Sequence, residues 1–79
     1  MVMAVLLYLD RICLATGQLR SGSRDEGVRT ADEVLDQAAA LRSTRIHAAL
    51  GDVAEAARPY QGHSDAGDLR ARIVALTAA

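Results

Sequence analysis

Between Ser23 and Leu41 the chain reads SRDEGVRTADEVLDQAAAL, and its apolar residues recur at helical spacing. At about 100° per residue, Gly27, Val28, Ala31, Val34, Leu35, Ala38 and Leu41 fall on one side. Arg29, Asp32, Glu33, Asp36 and Gln37 fall on the other. A stretch of this kind must bury one face against something else. Gly27, Ala31 and Ala38 let a second helix axis come close, so the partner expected for this face is another helix. Ser23 and Glu26 form an S-x-x-E pattern, the signature of a capping box at a helix start. Asp25 and Glu26 place negative charge on the first turn, where the helix dipole favours it. The pattern predicts a helix over residues 24–41.

What can pack on this helix is limited by the rest of the chain. There are 79 residues, no Phe or Trp, and Tyr8 and Tyr60 as the only aromatics. A core of this size is marginal, and its apolar mass must come from Ala, Leu, Val and Ile. Ala has the highest helix propensity, and no segment alternates in the manner of a strand. The fold class expected is all-α: antiparallel helix hairpins of about four helices in one module spanning 1–79. Every basic residue is Arg, and Lys and Asn are absent. That bias towards GC-rich codons points to a high-GC bacterial source. The net charge of −1 leaves no basic stripe for nucleic acid.

The other three helices are expected over 2–16, 43–58 and 65–77. Met1 to Leu9 is an apolar run, but it is shorter than the ~20 residues of a membrane span, and Asp10 and Arg11 follow it. It also lacks the basic start and small-residue cleavage site of a signal peptide; a cytoplasmic location is expected. In the first helix, which Gly17 is expected to close, Val2, Val5, Leu6, Leu9, Ile12 and Cys13 form one apolar stripe. Met3, Leu7 and Leu14 form a second, on another side. The third helix carries Ile46, Ala49, Leu50, Val53, Ala56 and Ala57 on its apolar face. Ser43 is its expected N-cap and Pro59 its stop, with a turn at Gly51–Asp52 as the alternative. Ser64 or Asp65 caps the fourth, whose stripe is Leu69, Ile73 and Leu76, with Arg70 and Arg72 facing water.

No catalytic, cofactor-binding or metal site is expected, and the chain is read as a non-enzyme. His47 and His63 lack a Cys or carboxylate at ligand spacing and are read as surface residues. Cys13, the only cysteine, sits on an apolar stripe and is read as a small buried hydrophobe; a Cys13–His47 nucleophile pair is the enzymatic alternative. Arg20 and Arg24, around Ser21-Gly22-Ser23, are read as a solvated turn, with an anion contact at the helix start as the sharper alternative.

A helix, then Gly17-Gln18-Leu19, then Asp25-Glu26-Gly27-Val28 and Ala31-Asp32-Glu33-Val34-Leu35, resembles a tetratricopeptide repeat. In that repeat two antiparallel helices pair, with small residues inside the second. Leu6, Leu9 and Cys13 match the face of its first helix, and Gly27 stands where the pattern usually has Ala. The segment from Ala40-Leu41-Arg42-Ser43 to Arg58-Pro59-Tyr60 is similar to the ends of such arrays in actinobacterial helix-turn-helix transcriptional regulators. The resemblance implies one repeat plus capping helices that bind a protein or peptide, or oligomerise, at the C-terminal end of an array. It implies no direct nucleic-acid contact by this segment and no membrane partner. The alternative is a free-standing helical protein that homodimerises through its first helix. In either case Met3, Leu7 and Leu14 are the candidate contacts, and the chain is expected not to be a self-sufficient monomer.

Overall fold

The computed structural model describes residues 2–77; Met1 and the side chain of Val2, both part of the expected apolar run, lie outside that description. The fold is all-α. Four helices, α1 (Val2–Arg20), α2 (Arg24–Ala40), α3 (Thr44–Ala57) and α4 (Ser64–Thr77), are joined by short turns, with a 3-10 turn at Arg58–Tyr60. α1 packs along both α2 and α3, while α4 packs along α3 and α2. The chain extends over 35 × 24 × 16 Å. The short dimension fits two helix layers, at 8–10 Å between axes, so every helix keeps one face outward.

The core holds Ile12, Ala15 and Leu19 of α1, Val28, Ala31, Val34, Leu35 and Ala38 of α2, Ile46, Leu50, Val53, Ala54, Ala56 and Ala57 of α3, and Ala66, Leu69 and Ile73 of α4. α3 runs through Gly51 without a break. Tyr8 and Tyr60 lie at the edge of the core. The Tyr60 hydroxyl donates to the Leu19 carbonyl at 3.0 Å, tying the turn before α4 to the end of α1.

α1 does not stop at Gly17. It continues to Arg20 and closes at Gly22, whose φ of 94° is open to glycine without a Cβ penalty. Gly22 N–H bonds Leu19 O at 3.2 Å and Ser23 N–H bonds Gln18 O at 2.8 Å, the paired bonds of a Schellman closure. The added turn places Leu19 in the core, 1% exposed, where a stop at Gly17 would have removed it. Leu19 lies against Gly27: a Cβ there would meet Leu19 Cγ at 2.6 Å and Ala15 O at 3.2 Å. Gly27 therefore marks a close approach of α1 and α2, and Gln18 Oε1 accepts from the Thr30 hydroxyl at 2.8 Å.

The same closure undoes the expected capping box. Ser23 makes no side-chain cap bond, and its N–H, which Glu26 would have reached, is already given to Gln18 O. Ser43 does cap α3, its hydroxyl accepting from Ile46 N–H at 3.3 Å. α2 ends at Ala40, a residue earlier than expected, because Arg42 turns the chain with a φ of 53°; Leu41 is half-buried as a result. α3 passes into the 3-10 turn, with Pro59 inside it. α4 starts at Ser64, with Gly67 N–H bonding the His63 carbonyl at 2.9 Å.

Arg70 and Arg72 do not simply face water. Arg70 Nε donates to Ala54 O at 2.9 Å and its Nη1 to Gln61 Oε1 at 2.9 Å. Arg72 reaches Asp32 at 3.0 Å and Asp36 at 3.3 Å. These contacts clamp α4 onto α3 and α2, supplementing an apolar stripe that is only Ala66, Leu69 and Ile73. Leu76, expected on that stripe, is 39% exposed, at the rim of a recess with Ala39, Ala40 and His47.

Candidate protein-interaction surface

α1 is apolar on more sides than its neighbours can cover. Val5, Tyr8, Leu9, Ile12, Ala15 and Leu19 turn towards α2 and α3. On the opposite side Met3 is 71%, Leu7 60% and Leu14 45% exposed, and Leu6 is 48% exposed at the margin. Cys13 is exposed as well. The expected first stripe was therefore misplaced by part of a turn: Leu6 and Cys13 were assigned to the core, and Tyr8, Ala15 and Leu19 take those places. Leu6 and Cys13 border a groove between α1 and α3, with Leu9, Asp10, Arg45 and Asp52. Leu7 and Leu14 border one between α1 and α2, with Tyr8, Asp10, Arg11 and Val34.

Large apolar side chains in contiguous exposure mark interaction surfaces more often than scattered ones do. Met3, Leu7, Asp10 and Leu14 follow one another at steps of four, three and four residues, the spacing of a helix–helix seam. Asp10 interrupts that seam and Arg11 flanks it; neither was singled out from sequence, although their position between Leu7 and Leu14 was a readable signal.

Cys13 and His47 lie in different grooves. His47 borders a recess with Asp36, Ala39, Ala40, Arg42 and Leu76. It is half-buried, not a surface residue, and its Nε2 is enclosed without a hydrogen-bond partner among the described residues. His63 is exposed, its Nδ1 2.6 Å from Arg24 Nη1. Arg24 is also engaged by Asp25 at 2.7 Å and Asp65 at 3.5 Å. The hydrogen bond that Arg24 donates to the Asp25 carboxylate raises the guanidinium pKa further, with Asp65 adding to it against some desolvation. These carboxylates take the charge that an anion at the start of α2 would need. Among the described residues no cluster of three or more His, Cys, Asp or Glu is placed to hold a metal ion. Nor, among the described residues, is any helix long and apolar enough to cross a membrane.

The fold and its exposed seam define a small helix-hairpin protein. No family model matches the chain, and no curated protein or solved structure matches it either.

Proposed function

We propose that this chain is a protein-interaction module of the tetratricopeptide type, the C-terminal end of an array in a bacterial regulator, with the outer face of α1 as its docking surface. The observation that carries this reading is the exposure of Met3, Leu7 and Leu14 on a helix whose other sides are already packed. Further support comes from the order of neighbours. α1 pairs with α2 and α3 with α4, while the first helices of the two hairpins lie side by side, as do the second. Repeat proteins stack in this nearest-neighbour manner. In an array, the outer side of α1 would receive a preceding hairpin. Burying each large apolar side chain there is worth roughly 1.5–3 kcal/mol.

The test compares the wild type with a Leu7→Asp/Leu14→Asp variant, both checked for native helicity by circular dichroism. Each is run in sedimentation velocity and in binding to a helical-repeat segment of a bacterial regulator. Association of either kind that the variant loses supports the reading. Identical behaviour of the two proteins, in both assays, sinks it.

A further inference from the structure

We infer that the helix received by the outer face of α1 carries an arginine or lysine in the middle of its apolar stripe, seated against Asp10. The inference rests on the reading of that face as a docking surface and adds the chemistry of its occupant, which in an array is a helix of the preceding hairpin. Its warrant is the place of Asp10. This residue lies in the middle of α1. It borders both the α1–α3 groove and the α1–α2 groove, and so stands on the ridge between them. On a helix surface the neighbours of a residue lie three and four positions away. For Asp10 they are Leu6, Leu7, Cys13 and Leu14, and all four are exposed. Asp10 is itself exposed, with no ion-pair partner among the described residues. The outer face is thus an apolar patch with one carboxylate at its centre.

A helix that covers this patch takes Asp10 out of water. A carboxylate buried without a cation is strongly disfavoured, so the cation must come from the occupant or from this chain. Two guanidiniums of the chain border the patch. Arg11 follows Asp10 by one residue, about 100° round the helix. It borders the α2 flank, where Arg29 stands with Asp25, Glu26 and Glu33. Arg45 borders the α3 flank with Asp52. Each flank therefore holds at least as many carboxylates as guanidiniums and has no cation to spare for the centre. The occupant is left to supply it. A second copy of the chain set face to face would bring its own Asp10 to the centre, which is the wrong charge. A single polar residue within an apolar seam is a common means of selecting partner and register in paired helices.

The test is fluorescence anisotropy with three synthetic peptides, each stapled to hold a helix and bearing leucines at seam spacing. They are identical except for the central seam position, which is arginine, norleucine or glutamate. The proteins are the wild type, Asp10→Asn, Asp10→Arg and Leu7→Asp, each checked for native helicity by circular dichroism. The wild type should bind the arginine peptide about tenfold or more tighter than the glutamate peptide, and tighter than the norleucine one. The preference should persist at molar salt, which screens exposed charges far more than a covered pair. Asp10→Asn should erase it, Asp10→Arg should reverse it towards glutamate, and Leu7→Asp should weaken all three peptides. A preference that survives Asp10→Asn, or that vanishes at molar salt, belongs to the surface charges and overturns the inference. If the wild type binds all three peptides equally and Leu7→Asp abolishes that binding, the docking surface stands and the basic occupant falls. If no peptide binds any of the proteins, both fall.

Discussion

Of the four glycines that lie within helices, Gly27 and Gly51 have surroundings that give them opposite roles. At Gly27 the Cβ of an alanine would lie 2.6 Å from Leu19 Cγ and 3.2 Å from the Ala15 carbonyl oxygen. Overpacking of this kind costs about 1–3 kcal/mol, against a helix-propensity gain of about 1 kcal/mol. Gly27→Ala should therefore destabilise the protein in urea melts. In a Leu19→Ala background, with the obstructing side chain gone, the same change should be neutral or favourable; destabilisation of equal size in both backgrounds would mean that Leu19 is not the cause. Gly51 has no atom within 4 Å of the added Cβ and lies mid-helix in α3. Gly51→Ala should raise stability by about 1 kcal/mol, seen as a melting point higher by roughly 4–8 °C for a domain of this size. Periodicity places both glycines on helices but says nothing about what stands over them.

At the scale of the element, two serines that look alike as N-caps behave differently. Ser43 caps α3 with its hydroxyl, so Ser43→Ala should cost about 1 kcal/mol. Ser23 accepts no N–H of α2, so Ser23→Ala should change the melting curve much less. An equal loss from both would show that Ser23 does cap α2 in solution. The S-x-x-E pattern was legible, but it presumes a free N–H at the cap residue. Here the preceding helix takes that N–H, because α1 runs one turn further than Gly17 suggests. Two helices separated by only three residues share their end groups, and a local motif cannot say which helix receives them.

Across the whole molecule, the contacts of Arg72 and Arg70 supplement the apolar packing of α4, and the Arg72 clamp has an electrostatic cost. The Asp32 carboxyl is raised above its ordinary pKa chiefly by desolvation, which outweighs the opposing attraction of Arg72; Asp65 adds a further rise. Between the ordinary value of about 3.9 and the raised one, the folded state binds more protons than the unfolded state. Asp32 therefore favours folding below that window and loses that contribution as pH rises through it. Asp32→Asn keeps a hydrogen-bond acceptor for Arg72 and removes the titration. Thermal melts from about pH 3 to about pH 6 should show the variant gaining on the wild type as pH rises. A constant difference, or a gain on acidification, would contradict the assignment.

The sequence by itself determined that this chain is helical, where most of its turns fall, and which face of α2 and of α3 is buried. Those features follow from a 3.6-residue period, the residues at Ser43 and Pro59, and an aromatic-poor, alanine-rich composition, all of which act locally. α2 and α3 each carry one apolar face, so their orientation needed no knowledge of a partner. α1 carries apolar residues nearly all round, so no local rule selects its buried side. The tertiary structure chose Ile12, Ala15 and Leu19 because α2 and α3 approach there, and it left Leu6, Leu7, Leu14 and Met3 outside. It likewise turned Arg70 and Arg72 from expected solvent-facing charges into clamps, since their acceptors, Ala54, Gln61, Asp32 and Asp36, are brought within reach only when the helices pack.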